Sequence, residues 1–318
     1  MKKWICWALC AVLLLGCLPG CSNEEDGKYV IGICQLAVHD ALDAATQGFM
    51  DTIKEELGEE NVRFVSQNAA GDPNTCSTII NSFVSQNVDL ILANATAALQ
   101  AATAATADIP ILGTSVTEYG VALNIKDFSG TVGGNVSGTS DLAPLDQQAA
   151  MIKAWCPDAK NVGLLYCSAE PNSKYQVEAI AVALKALGYA CKEYPFADSS
   201  DMQAVTQTAA ANSDVIYIPT DNTAATGMPV IDSICRPANV PVFPGEESMC
   251  RNGGVATLSI SYYDLGVATG KMAVKILKGE ADISTMPIEY VSTFSKKYNK
   301  QIADDLGLTA PEGFEALN

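Results

Sequence analysis

Histidine is nearly absent: the 318-residue chain has one, His39. A nucleophile activated by an imidazole base would have to use it, and no G-x-S-x-G turn accompanies it, so triad chemistry has little support. There is no G-x-x-x-x-G-K-[ST] loop, and Gly130-Thr131-Val132-Gly133-Gly134 does not complete G-x-G-x-x-G, so neither a nucleoside triphosphate nor a dinucleotide is indicated. Basic residues are also scarce, 19 Lys and Arg against 36 Asp and Glu, and the formal charge of −17 would repel a phosphate backbone. Nucleic acid is excluded as a partner, and no cofactor or metal is expected. What the chain does have is apolar surface: hydrophobic residues make up 48% and charged residues 17%, enough for two packed cores.

At the N-terminus Lys2 and Lys3 precede an apolar run from Trp4 to Leu15, too short to span a hydrocarbon core of about 30 Å as a permanent helix. Leu18-Pro19-Gly20-Cys21 follows and resembles the lipobox of bacterial lipoproteins, which implies removal of a signal peptide over residues 1–20 and lipidation of Cys21. Leu14-Leu15-Gly16-Cys17 is a competing site, and a plain signal peptide or an uncleaved anchor are the alternatives. Cys21 is favoured because residues 21–27 continue as a polar tether, Ser22-Asn23-Glu24-Glu25-Asp26-Gly27. The expected location is extracytoplasmic, held to the cell membrane by the lipid. Seven cysteines lie beyond Cys21, each on its own with no C-x-x-C, so a zinc site is not indicated and most read as small buried hydrophobes. A Cys235–Cys250 disulfide stays open.

From Tyr29 onward, short β-rich runs alternate with helical patterns. Tyr29–Cys34 reads as a buried strand, and Leu42, Ala45, Phe49, Ile53 and Leu57 share one helical face that stops at Gly58. Strands are predicted at Val62–Val65, Val88–Ala93 and Ile109–Leu112, with helices at Thr75–Phe83 and Ala97–Ala107. This βαβαβαβ order predicts a parallel sheet. The second half repeats it: Gly32 and Gly163, Gly58 and Gly188, and Pro110 and Pro241 keep a spacing of 130 or 131 residues. The glycine-, serine- and threonine-rich stretch Gly130–Asp141 reads as a crossing between lobes. The helix carrying Leu265, Ala268, Met272 and Ile276 is expected to return to the first lobe. The tail reads as a strand at Tyr290–Phe294 and a helix at Lys297–Leu306.

Ligands of open parallel sheets bind beyond the carboxyl ends of the strands, among the helix N-termini. The Asn94-Ala95-Thr96-Ala97 turn suits a carboxylate, while Asp221 with Asn222, and Glu170 with Asn172 and Ser173, offer acceptors for an ammonium. The same residue types are ordinary N-caps. Trp155, before Cys156-Pro157 at a helix end, reads as a packing residue, while Tyr119, Tyr166 and Phe243 are candidate ring-stacking partners for which a core or rim position is favoured.

These loops carry a family resemblance. Gln35-Leu36 with His39, Ala95-Thr96-Ala97, Gly133-Gly134-Asn135-Val136-Ser137-Gly138-Thr139-Ser140-Asp141-Leu142, Pro219-Thr220-Asp221-Asn222 and Tyr262-Tyr263-Asp264-Leu265-Gly266 together resemble the substrate-binding lipoproteins of ABC transporters, in particular those associated with tryptophan and tyrosine. The resemblance implies an α/β protein of two Rossmann-like lobes with parallel sheets joined by a three-segment hinge, the type I periplasmic binding protein fold. It divides the chain into residues 28–139 and 262–289 for the N-terminal lobe, and residues 140–261 and 290–318 for the C-terminal lobe. It implies a monomer without enzymatic activity that captures a small molecule, with an aromatic amino acid favoured and a sugar or nucleoside as the alternative, and docks on an ABC permease; sensing without transport remains the other reading. Carried over by position, His39, Thr96 and Thr117 would contact ligand from the first lobe, Ser140 and Asp141 from the crossing, and Glu170, Asn172, Ser173, Asp221, Asn222 and Glu246 from the second lobe. Val38 and Asp40 depart from the Glu and Pro that often flank the histidine, and Cys167 is unusual so near the site.

Overall fold

A computed structural model of the chain describes residues 28–317. The expected signal peptide, the expected lipidation at Cys21 and the expected tether fall outside the described residues, and among the described residues no helix is long and apolar enough to cross a membrane.

The first lobe runs β1 (Tyr29–Gln35), α1 (Asp40–Leu57), β2 (Val62–Asn68), α2 (Pro73–Ser85), β3 (Leu90–Asn94), α3 (Thr96–Ala105), β4 (Ile111–Val116), α4 (Tyr119–Ala122) and β5 (Val136–Ser140). The chain then enters the second lobe as α5 (Leu145–Trp155), β6 (Asn161–Cys167), α6 (Pro171–Ala186), β7 (Ala190–Phe196), α7 (Met202–Ala210), β8 (Val215–Ile218), α8 (Asn222–Cys235), β9 (Val242–Pro244), α9 (Glu247–Arg251) and β10 (Ala256–Ser259). It returns through α10 (Tyr262–Leu277) and β11 (Glu289–Tyr290), and leaves again for β12 (Ser295–Tyr298), α11 (Lys300–Asp305) and β13 (Glu315–Ala316). The backbone therefore crosses between the lobes three times, after β5, after β10 and after β11.

Strand order in the first sheet is β11-β5-β4-β3-β1-β2, and in the second β7-β6-β8-β9, with every neighbouring pair parallel. Runs such as Leu90–Asn94 and Val215–Ile218 are buried throughout, as strands covered on both faces by helices must be. The internal repeat survives as individual hydrogen bonds. Asp89 Oδ2 accepts from the Val30 N–H at 2.6 Å, and Asp214 Oδ2 accepts from the Asn161 N–H at 2.8 Å. The Ile91 N–H donates to the Pro110 carbonyl and the Ile216 N–H to the Pro241 carbonyl, both at 2.9 Å. Gly58 and Gly188 follow corresponding helices with φ of 87° and 91°, a conformation that costs glycine little.

Several sequence expectations need correction. Gly130–Asp141 is not all crossing segment: Val136–Ser140 forms β5 of the first sheet, and its Gly138 lies opposite Gly113 of β4, leaving room for the Tyr119 ring, whose hydroxyl donates to the Thr139 carbonyl at 3.1 Å. The strand expected at Tyr290–Phe294 overlaps only the end of β11, Glu289–Tyr290, on the first sheet; residues 291–294 form no strand, and β12 follows in a separate small sheet, β10-β12-β13. The last helix starts at Lys300, since Asn299 Oδ1 accepts from the Ile302 N–H at 3.2 Å and Lys297 belongs to β12. Trp155 does pack: Phe243, Tyr298 and Phe314 surround it with ring centroids 5.3–6.4 Å away. Cys235 and Cys250 are buried free thiols.

Helix α10 lies against α1 through small residues. A Cβ on Gly266 would fall on the Ala45 carbonyl, and one on Gly48 would fall on the Tyr263 carbonyl, so the two backbones touch where side chains would hold them apart. Gly266→Ala is expected to cost about 1–3 kcal/mol through overpacking. A urea melt with unchanged stability would show that the helices can shift to absorb the methyl group.

Candidate functional site

A tight cleft, with a cavity volume of about 20 Å³, lies between the lobes at the carboxyl ends of the parallel strands. The first lobe supplies His39 and Leu42 around the start of α1, with Ser115 and Thr117 at the end of β4. The crossings supply Asp141 and Tyr262, and the second lobe supplies Asn172, Thr220, Asp221, Asn222, Ala225, Glu246 and Met249. The lobes touch across it: His39 Nε2 lies 3.2 Å from Asn222 Oδ1, and Gln176 Nε2 lies 2.7 Å from Thr220 Oγ1 and 3.5 Å from Thr117 Oγ1.

The residues expected from the sequence divide into three groups. His39, Thr117, Asp141, Asn172, Asp221, Asn222 and Glu246 line the cleft. Thr96 and Glu170 line a wider adjoining groove, which shares Asn172 and Asn222 with the cleft. Ser140 and Ser173 are buried supports: Ser140 Oγ donates to the Thr117 carbonyl at 2.7 Å, and Ser173 Oγ accepts from Asn172 Nδ2 at 3.3 Å. Sequence reasoning missed Ser115, Thr220 and Tyr262 as lining residues. Thr220 and Tyr262 stood in the phrases that carried the resemblance, whereas Ser115 had only its place after a strand. Tyr119, Tyr166 and Phe243 are core residues.

The acidic side chains have different tasks. Glu170 is consumed by the start of α8: Oε1 accepts from the Thr223 N–H at 2.9 Å and Oε2 from the Asn222 N–H at 3.0 Å. Asp221 caps the same helix, with Oδ1 accepting from the Ala224 N–H at 2.7 Å and Oδ2 from the Cys167 N–H at 2.6 Å. Glu246 caps α9 through the Ser248 and Met249 N–H groups at 2.6 and 2.7 Å. Every oxygen of Glu170 and Asp221 thus holds a backbone N–H group, the helix-capping role that their residue types also allow. Asp141 differs. Its Oδ2 accepts from the Tyr262 hydroxyl at 2.8 Å, while Oδ1 is buried with no partner. Two further buried atoms of the lining, His39 Nδ1 and Ser115 Oγ, are also unpartnered. On the first lobe α3 starts at Ala95 with φ of 89° and no side-chain cap, so its first N–H groups remain available beside Thr96.

Burial raises the Asp141 carboxyl above the ordinary carboxylate range, opposed by the hydrogen bond from the Tyr262 hydroxyl. Burial, with the Glu170 charge adding to it, pushes Asp221 up to about 8, and burial also raises Glu246, partly opposed by the Ser248 hydroxyl and by His39. No lysine or arginine lines the cleft. Arg251 and Lys297 line a separate outer groove, where Arg251 pairs with Glu247 at 2.8 Å and Lys297 with Glu315 at 2.6 Å.

Fold and cleft define a two-lobed α/β solute-binding protein, with the fold of the type I periplasmic binding proteins. Residues 30–317 match the sequence model of the ABC transporter substrate binding protein family, and the chain belongs to that family. A tyrosine-binding protein of Clostridioides difficile is 33% identical over 302 residues, 90% of this chain and 87% of that one. Among solved structures, an ABC domain from Streptococcus pneumonia in complex with L-Trp is 34% identical with a TM-score of 0.87, covering 91% of this chain and 100% of that one. The ligand-free, open structure of a Clostridium difficile substrate-binding protein with adhesive properties is 35% identical with a TM-score of 0.70, covering 91% and 99%.

The raised carboxyls set a sign for stability. Folded values above the unfolded ones mean that the folded state binds more protons, so these groups stabilise fully below the ordinary carboxylate range and lose that contribution as pH rises through their folded values, about 8 for Asp221. The ligand-free protein should melt at a higher temperature at pH 5.5 than at pH 8, and Asp221→Asn should flatten that slope. A wild-type melting temperature that climbs over this interval would refute the assignment.

Proposed function

We propose that this protein captures an aromatic amino acid, of the tryptophan and tyrosine class, between its lobes and delivers it to an ABC permease while tethered to the membrane by a lipid on Cys21. The observation that carries this reading is the set of unpartnered buried atoms His39 Nδ1, Ser115 Oγ and Asp141 Oδ1 around one cleft. Buried polar atoms are rarely left without partners, and a small molecule that brings an ammonium and hydrogen-bonding groups would complete them. Asp141 Oδ1 accepts from the ammonium, and Ser115 Oγ with the open start of α3 offers donors for the carboxylate. Leu42, Ala225, Met249 and the Tyr262 ring provide an apolar wall for the side chain. The tyrosine-binding relative and the tryptophan complex support the aromatic class.

A thermal-shift panel on the chain from Ser22 onward tests the ligand. Ligand at 100 times its dissociation constant adds about 2.7 kcal/mol to folding stability, so tryptophan or tyrosine should give a clear shift; a shift with sugars or nucleosides alone would overturn the amino-acid reading. Asp141→Asn should weaken tryptophan or tyrosine by about 2–5 kcal/mol in calorimetry, because the ligand ammonium then loses its charged partner. For the anchor, Cys21→Ser in the full chain should move the protein from the membrane pellet to the soluble fraction, and an unchanged pellet would remove Cys21 as the attachment point.

A further inference from the structure

The polar walls of the cleft are lopsided. Asp141, Asp221 and Glu246 place three carboxyl groups in the lining, and neither the cleft nor the wider groove beside it contains a lysine or arginine. Asp141 is 5% exposed and keeps one oxygen unpartnered, so a cation has a built acceptor, one oriented by the Tyr262 hydroxyl. An anion has one ionisable partner, the His39 imidazole, whose Nδ1 is buried and unpartnered; otherwise it meets neutral donors, the Ser115 hydroxyl and backbone N–H groups, in a site with three carboxyl groups. A buried charge needs a partner of opposite sign, and a like charge nearby adds to the cost of keeping it ionised.

We propose that the site selects for the ammonium and treats the carboxylate as optional, so that its ligand class extends to primary aromatic amines lacking a carboxyl group, of the tyramine and tryptamine type. This deepens the aromatic amino-acid reading and rests on it. Removing the ligand carboxylate gives up hydrogen bonds, chiefly to neutral donors, but also takes a negative charge away from Asp141, Asp221 and Glu246, whose own ionisation burial already opposes. Removing the ammonium leaves Asp141 buried without a charged partner and brings a lone carboxylate among acidic groups. The two losses are therefore strongly unequal.

Calorimetry at pH 7.5 on the protein from Ser22 onward separates the possibilities, using tryptophan and tyrosine, then tryptamine and tyramine, then indole-3-propanoate and 3-(4-hydroxyphenyl)propanoate. The amines should bind within about thirtyfold of the parent amino acids, the range expected for losing one or two hydrogen bonds to neutral donors. The propanoates should be weaker by more than about a hundredfold, as expected when a buried charge loses its partner. Ser115→Ala should weaken the amino acids and leave the amines unchanged, and Asp141→Asn should weaken both; melting curves without ligand show whether each variant is folded. Amino acids that bind while their amines are weaker by more than thirtyfold, or propanoates that match the amino acids, overturn the proposal and leave the amino-acid reading intact. Amines that bind where tryptophan and tyrosine do not would overturn that reading and leave the cation selectivity standing.

Discussion

The hydrogen bond from the Tyr262 hydroxyl to Asp141 Oδ2, 2.8 Å long and buried, joins two of the three crossings and sets one end of the binding cleft. Asp141 follows β5 directly, and Tyr262 opens α10 just after β10. A tyrosine holding one carboxylate oxygen fixes the orientation of the other, so the acceptor is aimed by the same segments that carry the hinge. The cleft closes around a group that does not belong to either sheet, and its geometry changes only if the crossings themselves move.

The remaining acidic residues show why composition alone misleads at such sites. Asp141, Glu170, Asp221 and Glu246 all follow strands, and from the chain each serves equally well as ligand contact or helix cap. Three of them hold the first turns of α8 and α9, where backbone N–H groups would otherwise be buried without partners. That division is invisible without the fold. It depends on Glu170, from the turn after β6, reaching the N-terminus of α8, 52 positions further along.

Much of the architecture was legible. The spacing of Gly58 with Gly188 and of Pro110 with Pro241 reflects duplicated backbone contacts, because left-handed helix ends and strand starts impose their residue types locally. The tail was less legible because its strands are two to four residues long and acquire their identity from distant partners: β11 pairs with Thr139 and Ser140, and β12 with Ala256–Ser259. The residues of the cleft were mostly legible as positions after strands, but their roles were not, since Tyr262 contributes from a helix start and Ser115 from a backbone with φ of 54°.

The contact of α10 with α1 through Gly48 and Gly266 also orders events in time. Sheet and helices of the first lobe are written into residues 29–140, yet one face of α1 and one edge of β5 are covered only by α10 and β11, more than 120 residues later. A chain emerging from its N-terminus thus cannot finish its first lobe until nearly all of the second has appeared. Until then the unfinished half exposes the Gly48 face of α1 and an open edge of β5.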